Sequence, residues 1–308
     1  MEIESGMLQK LEKEIGKEKI CSCLIAHRGE TIFHYYKNKK MESKLFKINS
    51  ITKSVLSVLI GIAIDRGDLQ GVHTPIGHYL PHVGADKQEI TIEHLLTMTS
   101  GFEWPEWGAW GGRPFPMINS ADWVKYVLEQ PMVENVGERM IYNSGCSHLL
   151  SAILQKATGE KVDAYAEKVL FKPLGIEEYS WQEDAKQITI GGFGLCLQAA
   201  DLLKLGMLMI QNGRWENRQI VSEHWATRST TAMYHTYDHV GSYGYHWWVM
   251  ADETKRAQDP YLFFAMGYGG QYIFVSPVDQ LVVVFTSDLY KNTFLPLRLF
   301  RKHFVEGA

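Results

Sequence analysis

The segment from residue 50 to residue 64 constrains the fold most, because its apolar side chains cover almost every face of a helix. A helix with one apolar stripe can lie on a protein surface, whereas a helix that is apolar almost all round needs neighbours on most sides. The segment therefore predicts a buried central helix, which Gly67 is placed to end. A chain of 308 residues is long enough to surround it with a core.

Strand-like segments lie at both ends of the chain, and helical segments lie between them. An amphipathic helix over residues 3–15 comes first, and the turn Arg28-Gly29-Glu30 then joins two strands. The predicted strands are 20–26, 31–36, 243–250, 261–265, 271–276 and 281–286. The later predicted helices are 92–98, 121–129, 146–157, 162–170, 199–211 and 294–304. This order predicts one sheet built from both ends of the chain, with a helical region inserted.

Composition excludes several classes of function. Apolar residues make up 45% and charged residues 21%, the net charge is -4, and Lys and Arg are scattered. Such a chain has no broad basic face for nucleic acid or an anionic membrane. The N-terminal 19 residues hold no apolar signal-peptide core, and no apolar run reaches membrane-spanning length. With reduced, buried cysteines, these features predict a cytoplasmic protein.

Cysteines and histidines give no metal-ligand pattern. Cys21 and Cys23, two apart in a predicted strand, are expected on one face of it. Neither they nor Cys146 and Cys196 form a CxxC pair. A loose cluster is formed by His73, His78 and His82, and a pair four residues apart by His235 and His239. No HExxH motif accompanies either group. His94 is interpreted as structural. No cofactor or metal is therefore predicted.

Ser50 and Lys53 form a candidate nucleophile and base. Residues i and i+3 share a helical face, so the Lys53 amine can reach the Ser50 hydroxyl. Ser50 lies where helix N–H groups favour a developing oxyanion, and burial lowers a lysine pKa. The alternative is that Ser50 or Asn49 only caps the helix while Lys53 reaches solvent. An S-x-x-K sequence arises by chance roughly once in such a chain, so the motif needs support.

Two further segments supply candidate partners. Tyr142 precedes a predicted helix and can shuttle a proton between Lys53, Ser50 and a leaving group, or can simply pack there. The glycine-rich turn at residues 265–271 lies between two strands, where Tyr268 N–H can serve as a second oxyanion donor. A plain hairpin turn is the alternative. The Trp104–Trp110 stretch is interpreted as a core segment or as an apolar wall of an acyl pocket.

Together these segments resemble the serine β-lactamase and penicillin-binding-protein superfamily, close to its class C and esterase branch. Ser50–Lys53 resembles its S-x-x-K motif, Tyr142–Ser144 its Y-x-N motif, and Ala265–Gly267 its K-T-G or H-T-G motif. Supporting stretches are residues 65–69, 92–101 and 269–277. The resemblance implies an α+β fold of the β-lactamase/transpeptidase type. It has a five-stranded antiparallel sheet flanked by terminal helices (residues 1–67 and 186–308), a mostly helical domain (68–185), and a site between them.

The resemblance also implies roles for single residues. Ser50 would be the nucleophile, Lys53 its general base and Tyr142 a second acid/base, with Ser50 and Tyr268 backbone N–H groups as the oxyanion hole. Expected substrate contacts are Ser144, Gly267, Gly269 and Trp104.

Two departures from the family pattern bear on the substrate. The third motif lacks its Lys or His, so the cation that would hold a carboxylate is absent there, and Ser144 replaces an Asn. Arg113 or His235 could supply a charge from a loop. The sequence thus predicts an esterase- or amidase-like serine hydrolase that acts on a small ester, amide or β-lactam-like substrate. Weak β-lactamase or D-peptidase activity is compatible with this prediction. The alternative is a non-catalytic ligand sensor.

Overall fold

The structure is a computed structural model that describes residues 3–106, 114–238, 240–250 and 262–306. Some residues named from the sequence lie outside these ranges, namely Trp107, Trp110, Gly111, Gly112, Arg113, His239 and Tyr261.

Within the described ranges, helices occupy the middle of the chain and long strands its two ends, as predicted. The helices are α1 Ser5–Ile15, α2 Ile51–Asp65, α3 Ile92–Leu96, α4 Phe115–Ile118, α5 Trp123–Leu128, α6 Ser144–Thr158, α7 Val162–Ala166, α8 Ala199–Ile210, α9 Glu223–Ser229 and α10 Leu295–Phe304. The strands are β1 Ile20–His27, β2 Glu30–Tyr36, β3 Phe46–Lys47, β4 Ser180–Trp181, β5 Leu195–Leu197, β6 Arg214–Trp215, β7 Arg218–Gln219, β8 Tyr234–His235, β9 Ser242–Tyr243, β10 Trp248–Met250, β11 Leu262–Gly267, β12 Gln271–Ser276 and β13 Leu281–Ser287.

The main sheet is antiparallel and joins the two ends of the chain. Its strand order is β2-β1-β13-β12-β11-β10-β9-β8 across the described residues. The α+β class is confirmed, but the predicted count of five strands is too low. The first five strands in this order match the expectation, and β10 adds to them by pairing with β11, with Trp248 opposite Phe264. Two short strands, β9 and β8, then extend that edge.

The predicted strand at residues 243–250 is interrupted. His246 has φ 60, a left-handed conformation that does not occur within a regular strand. Tertiary contacts fix this bend, because His246 N–H donates to Leu96 O and the His246 carbonyl accepts from Ser54 Oγ at 2.7 Å. The aromatic pattern of residues 243–250 predicted one continuous strand. The bend at His246, which tertiary hydrogen bonds hold, divides this segment into β9 and β10.

Helices cover both faces of the sheet. The terminal helices α1 and α10 lie together on one face, where Phe300 stacks on Phe274 with ring centroids 4.2 Å apart. Helix α8 packs against β1, β12 and β13, and α2 packs against β11 and β12. This arrangement explains why β1, β12 and β13 are buried almost throughout. No helix in the described residues is long and apolar enough to cross a membrane.

The prediction that Cys21 and Cys23 share a face of β1 is wrong. Cys21 packs in the core cluster that contains Leu24 and Ala26, whereas Cys23 packs with Ile25 on the other side of the sheet. The register with β13 shifts between Ile20 and Ser22, and such a β-bulge inserts one residue and reverses the alternation of side chains. All four cysteines are reduced.

Candidate active site

Ser50 and Lys53 meet at the start of the buried helix α2. Ser50 occupies the N-cap position, but its side chain makes no capping hydrogen bond. Instead the Lys53 ammonium or amine donates to Ser50 Oγ at 3.2 Å, to Ser144 Oγ at 2.9 Å and to the Gly192 carbonyl at 2.7 Å. Only 1% of Lys53 is exposed. A capping serine beside a solvent-directed lysine, the alternative left open by the sequence, is therefore excluded.

Burial sets the protonation of Lys53. Desolvation lowers its pKa to about 8, against the opposing effect of the Glu106 carboxylate, which raises it. About a tenth of such lysines carry a neutral amine at pH 7. A neutral amine one helical turn from a serine hydroxyl can accept its proton.

Tyr142 completes the group around Ser50. It lies just before α6, whose N-cap Asn143 accepts a hydrogen bond from Cys146 N–H at 3.1 Å. The Tyr142 side chain is hydrogen-bonded to that of Ser50, and its ring stacks on Trp248 with centroids 5.7 Å apart. Burial, followed by the negative charge of Glu106, raises the pKa of Tyr142. The phenol therefore keeps its proton at neutral pH, as a proton donor must.

The segment before α2 contacts the end of β11 and the turn that carries Tyr268, and Ser50 and Tyr268 line the same two cavities. Asn49 Nδ2 donates to the Tyr268 carbonyl at 2.6 Å, and Asn49 takes a left-handed φ of 50. A Cβ on Gly267 would lie 2.2 Å from the Ile48 carbonyl oxygen, so only glycine lets β11 approach so closely. Neither the Ser50 N–H group nor the Tyr268 N–H group donates a hydrogen bond within the described part of the chain. Their placement suits two donors of an oxyanion hole.

Glu106 is a buried carboxylate that sequence reasoning missed. Its Oε1 accepts from Ser144 Oγ at 2.5 Å, and its Oε2 accepts from Ser144 N–H at 3.0 Å and from Trp104 Nε1 at 2.6 Å. Lys53, Ser144 and Glu106 thus form a continuous chain of hydrogen bonds. No periodicity marks this loop residue. The one available signal was an acidic side chain between tryptophans in an apolar segment.

Two cavities meet at Ser50, Glu106 and Tyr268. The aromatic cavity, of about 400 Å³, is lined by side chains that include Tyr142, Tyr237, Val240, Trp248, Met266 and Phe294. The cleft cavity, of about 520 Å³, is lined by residues that include Asn49, Phe115, Ile118, Trp123, Ser144 and Phe193. A substrate bound across Ser50 would have a separate pocket on each side of the reacting carbon.

The remaining predicted residues do not line either cavity. Trp104 is buried and holds Glu106. Gly269 N–H donates to Thr293 Oγ1 at 3.0 Å, next to the Tyr290 ring. His235 pairs with Asp238 at 3.0 Å on the surface. Among the described residues, no group of three or more His, Cys, Asp and Glu could hold a metal.

Solved structures show that this fold is the one shared by penicillin-binding proteins and related hydrolases. An octameric penicillin-binding protein homologue from Pyrococcus abyssi superposes with a TM-score of 0.77 over 98% of this chain and 77% of that one, at 18% identity. EstCE1, a hydrolase with promiscuous acyltransferase activity, gives a TM-score of 0.76 at 17% identity, over 97% of each chain.

Sequence comparison gives the family. The Beta-lactamase family model matches residues 9–303, and the chain therefore belongs to that family. Esterase EstB from Burkholderia gladioli is 27% identical over an alignment of 154 positions that covers 44% of this chain. The matched segment spans only 38% of EstB.

Proposed function

We propose that the protein is a serine hydrolase that cleaves small esters or amides through an acyl-enzyme on Ser50. Lys53 accepts the Ser50 proton as Oγ bonds to the acyl carbon, and the N–H groups of Ser50 and Tyr268 stabilise the oxyanion. Tyr142 gives a proton to the leaving oxygen or nitrogen as its bond to the acyl carbon breaks. Water then hydrolyses the acyl-enzyme and restores Ser50.

The observation that carries this proposal is the buried Lys53 Nζ, 3.2 Å from Ser50 Oγ, with Tyr142 hydrogen-bonded to the same serine. An amine excluded from water is costly to bury for structure alone, because its charged form loses hydration. The names of EstB and EstCE1 add support, since both describe hydrolases.

An ester or amide is favoured over a β-lactam by the wall of the aromatic cavity. The third motif on β11 reads Ala265-Met266-Gly267, so an alanine stands where a cation would hold the carboxylate of a β-lactam or a peptide, and the Met266 thioether lines the cavity beside it. A thioether cannot replace that cation.

The test is turnover of p-nitrophenyl esters and a chromogenic cephalosporin by wild type and by Ser50→Ala. Wild type is expected to hydrolyse the esters with a burst and the cephalosporin slowly or not at all. Ser50→Ala should lose the enzymatic rate by about 10³-fold or more. Undiminished ester hydrolysis by Ser50→Ala would end the proposal.

The missing cation also favours a second candidate, a sensor that captures a ligand without turning it over. Intact-protein mass spectrometry separates the two. A Ser50 adduct that forms stoichiometrically and persists for hours, without turnover, would identify the sensor. An adduct that decays at the rate of turnover would identify the hydrolase.

A further inference from the structure

Of the two proposed proton carriers, Tyr142 and Lys53, only Tyr142 lines one of the cavities. Tyr142 lines the aromatic cavity and is hydrogen-bonded to Ser50. Lys53 lines neither cavity, because its three hydrogen bonds hold it between Ser50 Oγ, Ser144 Oγ and the Gly192 carbonyl. On the proposed mechanism, Tyr142 is therefore the side chain that can hand a proton to a departing atom.

A leaving atom must lie within hydrogen-bond reach of its acid. When the carbonyl oxygen lies between the N–H groups of Ser50 and Tyr268, the two substituents of the acyl carbon point to opposite sides of Ser50. The substituent next to Tyr142 then enters the aromatic cavity. The acyl chain enters the cleft cavity, past Ser144.

The aromatic cavity suits an apolar, uncharged group. Val240, Trp248, Met266 and Phe294 line it, and the described residues of its wall include no Lys, Arg or His. Glu106, which also lines the cleft cavity, is the one carboxylate in that wall among the described residues. An anionic leaving group there would lose its hydration and face a negative charge, with no cation among the described residues of the cavity wall.

We propose that the aromatic cavity is the leaving-group site and that the substrates are neutral esters or amides of a bulky, apolar alcohol or amine. This rests on the proposed function. Ser50 Oγ forms a bond to the acyl carbon, and the bond from that carbon to the leaving oxygen or nitrogen breaks. The leaving atom takes the Tyr142 proton, and the proton from Ser50 returns to Tyr142 through Lys53. The products of the full cycle, with one water consumed, are a carboxylic acid and the alcohol or amine.

The test compares two acetates that differ in the leaving group alone, 4-(methoxycarbonyl)phenyl acetate and 4-carboxyphenyl acetate. Each rate is divided by the rate of hydroxide-catalysed hydrolysis, which removes intrinsic reactivity. Wild type should favour the neutral ester in kcat/KM by roughly 10- to 100-fold. Equal normalised rates would overturn the proposal.

A pair of matched variants locates the effect. Met266→Lys places a cation in the aromatic cavity and should reduce the preference for the neutral ester by about tenfold or more, through faster cleavage of the carboxylate ester. Ile118→Lys places the same cation in the cleft cavity, from a similarly half-buried position, and should leave the preference unchanged. The opposite pattern would assign the leaving group to the cleft cavity.

A wild-type measurement covers the case in which Met266→Lys does not fold. With the acetyl group held constant, normalised kcat/KM should rise from methyl to phenyl to 2-naphthyl esters, and a flat series would contradict the proposal. Loss of all ester turnover in Ser50→Ala together with a flat series would leave the hydrolase standing and remove the leaving-group assignment alone. Turnover that survives Ser50→Ala would remove both.

Discussion

At the scale of single residues, we expect Lys53 and Glu106 together to determine the pH dependence of activity. A lysine with a pKa of about 8 is mostly protonated at pH 7, and only its neutral form can act as a base. The kcat/KM for a p-nitrophenyl ester should therefore rise with pH and level off above about pH 8. The carboxylate of Glu106 favours the charged lysine, so its removal should favour the neutral amine.

Glu106→Gln is the variant that tests this coupling. The inflection of the pH–rate profile should move to lower pH by about one unit, because the negative charge that stabilises the Lys53 ammonium is lost. Glu103→Gln is the matched control, since Glu103 lies three residues earlier in the same loop and is exposed. An inflection that stays at the wild-type pH in Glu106→Gln would show that the two groups are not coupled, and a shift in Glu103→Gln would point to a general charge effect.

At the scale of elements, helix α2 packs so closely against α9 that Gly61, at their contact, has no room for an added methyl group. A Cβ on Gly61 would lie 2.3 Å from the indole ring of Trp225 in α9. Alanine gains about 1 kcal/mol in helix propensity, but overpacking against a buried, rigid ring costs about 3 kcal/mol. Gly61→Ala should therefore lower the free energy of unfolding by about 2 kcal/mol, measured by urea denaturation.

The control is the same change on a helix that faces solvent. A Cβ on Gly6 of α1 would meet no other atom within 4 Å, so Gly6→Ala should raise stability slightly, by less than about 1 kcal/mol. A gain of stability in both variants would show that helix propensity alone determines the change in the free energy of unfolding. The close packing of α2 against Trp225 would then carry no cost.

The same elements show what the sequence can predict. The apolar pattern of residues 50–64 predicted a buried helix, and the structure places α2 at Ile51–Asp65 with 13 buried residues from Ile51 to Ala63. The spacing of Ser50 and Lys53 follows from helix geometry alone. Local pattern offered Tyr142 and the turn at Gly267 only as candidates with structural alternatives, and the family resemblance implied their roles, because local pattern cannot show which distant segments meet.

Features set by tertiary contacts were missed or misplaced. Glu106 lies in a loop without periodicity, and its importance arises from Ser144, 38 residues later. The bulge that separates Cys21 from Cys23, and the bend at His246, depend on partners in other elements. Local propensity describes single elements well, whereas register shifts and loop contacts need the assembled fold.

At the scale of the whole molecule, the site depends on segments far apart in the chain. Ser50 and Lys53 come from α2, Tyr142 from the segment before α6, and Tyr268 from the turn after β11. The sheet that positions β11 is completed by β1, which pairs with β13. The terminal helices α1 and α10 cover its outer face, on the side away from α8. Their packing should therefore contribute to stability without contacting substrate.

Phe300→Ala tests this separation of stability from chemistry. Phe300 is 1% exposed and stacks on Phe274, so its truncation leaves a cavity that should cost about 3–5 kcal/mol. The melting temperature is expected to fall by roughly 5–10 °C in thermal denaturation. Below the transition, kcat/KM for a p-nitrophenyl ester should remain within about twofold of wild type.

Lys302→Ala, on the exposed side of the same helix, is the matched control. Lys302 Nζ lies 2.7 Å from Glu14 Oε1 of α1, and an exposed ion pair of this kind contributes at most about 1 kcal/mol. Its melting temperature should therefore fall far less than that of Phe300→Ala. A loss of kcat/KM in Phe300→Ala, at temperatures where the variant is folded, would contradict this separation. It would show that the packing of α10 affects the geometry at Tyr268 by way of β12 and β11.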